Sequence, residues 1–233
     1  MRKLLLATVA TFALSGVAFA SDNSSAFIEQ VGGYNNTATQ EQKSGFLSTN
    51  NSAWAKQQHS DNSTITQTQS GRDQKATAQQ AASSHSHITQ TQSSRDNEAG
   101  ASQDNVRHGW ISQDQKDGTD NKAWASQSHG SNVTIEQTQD GFHNRASAQQ
   151  SWTNHSTITQ YQDGSFNQAD AVQANVEGSL IKQIQYNLKN VAYASQTAHG
   201  RDNTILQTQS GYNNTATALQ IGGTNNRAVQ NQR

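Results

Sequence analysis

From Ser21 onward, inward and outward residue types alternate with a period of two, in paired short tracts. One tract reads Ile65-x-Gln67-x-Gln69-x-Gly71 and is followed by Gln74-x-Ala76-x-Ala78-x-Gln80. The next pair is Ile88-x-Gln90-x-Gln92, then Asn97-x-Ala99-x-Ala101-x-Gln103. That period belongs to a strand, whose successive side chains face opposite ways. It excludes a helix, as does the density of Thr, Asn and Gly. The slot between the two alanines holds Thr77, Gly100, Trp124, Ser147, Asp170, Tyr193 and Thr217 in successive copies. A position that accepts glycine, tryptophan and aspartate alike faces solvent, so the Ile, Ala, Gln and Asn positions face inward. Each copy therefore predicts a strand, a tight turn, a second strand and a looser turn. Gly71, Gly141, Gly164 and Gly211 mark the tight turn, where a positive φ favours glycine and, less so, asparagine.

The pattern recurs along the chain. Ile111 leads to Asn121, Ala123 and Gln127, and Ile135-Gln137-Gln139 leads to Asn144, Ala146 and Gln150. Ile158-Gln160-Gln162 leads to Asn167, Ala169 and Gln173, and Ile181 to Asn190, Ala192 and Gln196. Ile205-Gln207-Gln209 leads to Asn214, Ala216 and Gln220. Copies are spaced by 23 residues, twice by 24, a period in the solenoid range. Partial copies flank the array, at Asn36/Ala38/Gln42 and Asn51/Ala53/Gln57 before it and Asn226/Ala228/Gln232 after it.

One such unit has too thin an inner face to stand alone. Stacked in register, the copies form an all-β solenoid of two parallel sheets face to face. With rungs roughly 4.8 Å apart, about nine of them make a rod near 40 Å long. Burying glutamine and asparagine is costly without partners. Identical amides stacked along the axis supply those partners, and the Ile and Ala columns supply the dry part of the core.

Composition sharpens this reading. The 233 residues contain no cysteine and no proline, are 31% hydrophobic and 14% charged, and carry a formal net charge of -1. Without cysteine there is no disulfide framework and no Cys-ligated metal. A near-neutral chain lacks the electrostatic drive for phosphate, so no nucleic-acid partner is expected. The apolar fraction is too low for a thick core, and the charge is too low for a swollen disordered chain. Arg2 and Lys3, the apolar run from Leu4 to Leu14 and Ala18-Phe19-Ala20 read as a secretory leader cleaved between Ala20 and Ser21. No later segment is apolar enough to span a membrane. The expected organisation is a leader at 1–20, partial repeats at 21–57, the regular array at 58–220 and a terminal half repeat at 221–233.

These residues resemble the curlin repeat, Q-x-G-x-x-N-x-A-x-x-x-Q, of the curli fibre subunits of bacterial biofilms. Gln139, Gly141, Asn144, Ala146 and Gln150 match it in full, as do the sets beginning at Gln162 and Gln209. The set Gln69, Gly71, Gln74, Ala76, Gln80 has glutamine in the asparagine slot. Ser94 and Asn187 stand where glycine is expected, and the segment from Gln115 to Asn121 is one residue longer. The resemblance implies an extracellular functional amyloid of a bacterium with an outer membrane, exported unfolded through a dedicated pore. It further implies adhesion and biofilm support, with growth seeded by a nucleator subunit. The regular repeats suit the polymerising major subunit; basic Arg227 and Arg233 suit the nucleator.

Polymerisation also follows from the residues. Solenoids that stay monomeric cover their end rungs with polar caps. Here Phe27-Ile28-Glu29-Gln30 and Asn226-Arg227-Ala228-Val229 are themselves repeat-like, and an uncovered edge templates the next chain. The residues predicted to carry assembly are the inward Ile, Gln, Asn and Ala columns.

Other chemistry is sparse. His59, His129 and His199 lie six residues before an Ile of the array; His85, His108 and His155 lie three before. They read as turn residues whose protonation would slow stacking. Asp73, Asp96 and Asp120, with Arg72 and Arg95, read as solvated gatekeeper charges. Outward Thr64, Thr66, Thr68, Thr89 and Thr91 raise an ice-binding alternative, which Trp110, Ser112 and Asp114, and later Leu180, Lys182 and Ile184, interrupt. Trp54, Trp124, Trp152, Tyr161, Tyr193 and Tyr212 are expected on the surface. No catalytic motif, metal site or cofactor site is read from the sequence, and no enzyme activity is expected.

Overall fold

The computed structural model describes residues 15–19, 23–43 and 49–233. Among them are nineteen strands in two parallel sheets and no helix. The ten-stranded sheet runs β1 (Ser15–Phe19), β3 (Thr37–Lys43), β5 (Thr64–Arg72), β7 (His87–Arg95) and β9 (Trp110–Lys116). It continues through β11 (Thr134–Phe142), β13 (Thr157–Ser165), β15 (Leu180–Leu188), β17 (Thr204–Tyr212) and β19 (Arg227–Gln232). The nine-stranded sheet runs β2 (Ser25–Val31), β4 (Ser52–Gln58), β6 (Lys75–Ala81), β8 (Glu98–Asp104) and β10 (Lys122–Ser128). It continues through β12 (Arg145–Ser151), β14 (Gln168–Ala174), β16 (Val191–Thr197) and β18 (Thr215–Ile221). The chain alternates between the sheets, so each coil lays one strand in each. This is the β-solenoid that the repeats predict.

Register follows the repeat. Ile65 lies on Ile88 and Gln67 on Gln90, while Ala76 lies on Ala99 and Gln80 on Gln103. The isoleucine column from Ile65 to Ile205 is wholly buried. It clusters with the second alanine of each pair, such as Ala78, Ala148 and Ala194. Branched side chains against small ones let two sheets interdigitate closely.

The irregular spacings are absorbed in turns. Where Gln115–Asn121 carries its extra residue, β9 stops at Lys116, two residues shorter than β7 and β11. The second extra residue falls in the looser turn after β16, where Ala198 and His199 both take positive φ. At the tight turn Gly141 has φ 106, and a Cβ there would lie 2.1 Å from the carbonyl oxygen of Gly164 in the next coil. Ser94 and Asn187, which replace glycine, adopt φ 80 and 69, so the turn persists without it.

Several expectations need correction. The flanking copies at Asn36/Ala38/Gln42 and Asn226/Ala228/Gln232 do not belong to the alanine sheet. Ala38 pairs with Ile65 and Ala228 with Ile205, so both alanines fill isoleucine positions. Only Asn51/Ala53/Gln57 stacks as expected, on β6. Asn-x-Ala-x-x-x-Gln fits either strand, because both carry inward residues two apart.

The looser turn is also more ordered than its name. Parallel bridges run through Tyr34, Asp61, Ser84, Arg107, Ser131, Asn154, Glu177, Arg201 and Thr224, making a narrow third wall. Two inward columns line it, one through Ser60, Ser83, Val106 and Val176, the other through Ser63, Ser86, Val133 and Ser179. Small, chemically mixed residues hide such a column from a search for alternation.

Ser15–Phe19, within the expected leader, forms β1 and pairs with Thr37–Glu41 of β3. The expected cleavage site at Ala20–Ser21 lies outside the described residues.

Candidate assembly interface

The two sheets turn three glutamine columns inward, and their amides connect into continuous ladders. In one, Gln40 Nε2 donates to Gln67 Oε1, and the pattern repeats through Gln90, Gln113, Gln137, Gln160, Gln183 and Gln207 to Gln230, at 2.7–2.9 Å. A second runs from Gln42 through Gln69, Gln92, Gln115, Gln139, Gln162, Gln185 and Gln209 to Gln232, at 2.8–2.9 Å. The third lies in the other sheet, from Gln30 through Gln57, Gln80, Gln103, Gln127, Gln150, Gln173 and Gln196 to Gln220.

From Gln40, Gln42 and Gln57 onward, the remaining N–H of each amide reaches a backbone carbonyl. Gln67 donates to Trp54 O and Gln69 to Ser52 O across the sheets. Gln80 donates to Ser86 O beside the looser turn. Both donors and the acceptor of a typical glutamine are thereby satisfied in a dry setting, which removes most of the burial cost.

The asparagines do something else. They were expected to bond to one another as the glutamines do, but most grip the backbone of the next coil. Asn121 Oδ1 accepts the N–H of Asn144, and its Nδ2 donates to Gly141 O. Asn144 and Asn167 repeat this one and two coils on. The shorter side chain stays close to its own backbone and clamps the tight turn. Gln74, in an asparagine slot, donates to Ser70 O and Ser94 O, but its Oε1 is buried with no donor.

The histidines and aspartates singled out in the sequence share a conformation. His59, His129 and His199 have φ of 49–56, as do His85, His108 and His155 within 49–52. Asp73, Asp96 and Asp120 have φ of 54–56. Asparagine, aspartate and histidine are the non-glycine residues most at home in this left-handed region. His85 does stack on His108, with ring centroids 5.2 Å apart, but His129 stacks on Trp152 and His143 on Phe166. Asp120 Oδ2 lies 2.9 Å from His143 Nδ1, and Asp73 lies 3.1 Å from its neighbour Arg72. Among the described residues no three His, Cys, Asp or Glu groups converge as metal ligands.

Burial separates the surface aromatics. Trp152, Tyr193 and Tyr212 are exposed, whereas Trp54, Trp124 and Tyr161 are half-buried. Trp124 leans over Gly100, and the Arg145 guanidinium stands 4.9 Å from its ring centre. The Thr66–Thr89 and Thr68–Thr91 pairs lie in register and give way to Ser112 and Asp114. Asp140 pairs with Asp163 on adjacent strands, and its carboxyl is held above the usual range, first by burial, then by Asp163 and Asp117, with Lys116 opposing.

At the C-terminal end of the rod no further strand among the described residues pairs with β18 or β19, while at the other end β1 lies on β3. β2 and β18 bound one sheet, and β19 bounds the other at the same end as β18. Leu219, Ile221 and Val229 are exposed there, Ile221 to 77%. No helix among the described residues is long and apolar enough to cross a membrane. The chain matches no protein-family model and no curated protein.

Proposed function

We propose that this chain is the structural subunit of an extracellular, curli-type amyloid fibre. It grows by adding copies end to end in register, and it serves adhesion and the biofilm matrix. The observation that carries this reading is the set of glutamine ladders running the length of the rod to the β18–β19 end, where no further strand among the described residues pairs with them. An edge with free N–H and C=O groups recruits another strand, and natural proteins that avoid this blunt it with proline, charge or a covering element. The β18–β19 end has none of these in its strand interiors. Adhesion, the secretion pore and a separate nucleator come with the curlin resemblance rather than with the geometry.

Seeding tests the reading. Sonicated fibres added to fresh protein are expected to abolish the lag phase of assembly. A lag that persists unchanged, with only single rods visible by electron microscopy, would remove it.

A further inference from the structure

The three ladders all point the same way. Every Nε2 donates toward the coil nearer the C-terminus, from Gln30, Gln40 and Gln42 at one end to Gln220, Gln230 and Gln232 at the other. The direction is locked by the second N–H. Gln90 holds Thr77 O and Gln137 holds Trp124 O. Turning either amide over would set its oxygen against a carbonyl oxygen. The rod is therefore chemically polar along its axis.

Its two ends are complementary. At the β2/β3 end, where β1 lies on β3, the Oε1 atoms of Gln30, Gln40 and Gln42 are buried and accept no hydrogen bond. At the β18/β19 end, Gln220, Gln230 and Gln232 donate one N–H each to Thr204 O, Thr217 O and Thr215 O. The other N–H is the one that, in every preceding coil, goes to the next glutamine. Buried acceptors without donors are rare in native proteins. Three on one face, matched by three donors on the other at the same register positions, point to a second copy. β1 is no substitute, since its residue in register with Gln40 is Ala18, which has no amide.

We propose that copies join in one orientation only, the β18/β19 face of one on the β2/β3 face of the next, with β19 taking the place of β1. Gln220, Gln230 and Gln232 then donate to Gln30, Gln40 and Gln42 of the next copy. Extending the register places Ala216 on Ala26, Leu219 on Glu29 and Ala228 on Ala38. Reversed joints set oxygens against oxygens or N–H groups against N–H groups. This inference rests on the self-assembling reading and adds polarity and register to it.

The absence of cysteine allows a direct test. Leu219→Cys and Glu29→Cys lie on outward positions and leave the ladders intact. Each is made in the chain beginning at Ser21, in which β2–β19 keep every pairing except that to β1. One variant is isotope-labelled, the two are assembled alone and in equal mixture, and a short bismaleimide is added before mass spectrometry. Mixed Leu219→Cys/Glu29→Cys dimers are expected to exceed either homodimer by about tenfold or more. Comparable homodimers, or fibres that yield no cross-link, would overturn the proposed joint while leaving assembly standing. Failure of the unsubstituted chain to assemble or seed would overturn the joint together with the reading beneath it.

Discussion

At the scale of single residues, the structure changes what the polar side chains are for. His59, His85, Asp96 and Asp120 look in sequence like candidates for charge control. Their shared positive φ shows a simpler demand, since each coil has positions where the backbone turns left-handed. The same positions elsewhere hold Trp152, Phe166 and Lys189, residues that meet that geometry at a greater cost. Alternation does not reveal such positions, because φ is set by how a turn must close and not by which face a side chain takes. Gln74 makes the complementary point. Its added methylene carries the amide past the site where Asn51 and Asn97 each accept the N–H of the next coil. Gln74→Asn is expected to stabilise the protein by about 1–2 kcal/mol by giving the buried oxygen a donor. The check is a higher urea midpoint with an unchanged slope.

Between elements, stability resides in what one strand offers the next. Ile135 and Gln137 are equally buried on β11, but they contribute differently. Gln137→Leu keeps the bulk and strips partners from Gln113, Gln160 and Trp124 O. It is expected to cost about 2–4 kcal/mol. Ile135→Val removes one methyl and should cost only about 0.5–1.5 kcal/mol. Equal losses in denaturant titrations would contradict the ladder's role. Charge columns act with the opposite sign. Because Asp140 has its carboxyl raised in the folded state, its ionised form opposes folding. That cost is fully present above the folded value and disappears as pH falls below the unfolded value, near 4. Asp140→Asn should therefore stabilise at neutral pH by about 0.2–1 kcal/mol, even with the loss of Lys116's attraction. Thermal melts should show the gain at neutral pH and none near about pH 3.

Across the whole molecule, the architecture is one-dimensional: each strand pairs only with its equivalents one coil before and after. Such stacks have no inherent length, and stability accumulates from coil to coil. The insertions before Asn121 and after Gln196 leave the ladders unbroken, because they fall in turns. A rod that tolerates lengthened turns while holding its amides in line is suited to extension by further copies. Its uniform amide direction gives the two ends different chemistry.

The period of 23, the strand alternation and the identity of the inward columns were legible in the sequence, since each reflects a choice repeated in every coil. From these alone come the parallel pairing, the register and the isoleucine–alanine core. The placement of Ala38 and Ala228 in the isoleucine column, the asparagine clamps on the next coil's backbone and the bridged third wall were decided only by tertiary structure. So was the direction of the amides. An isolated glutamine has no preferred direction along a rod; the carbonyl facing it across the sheets selects one, and every later copy must repeat that choice.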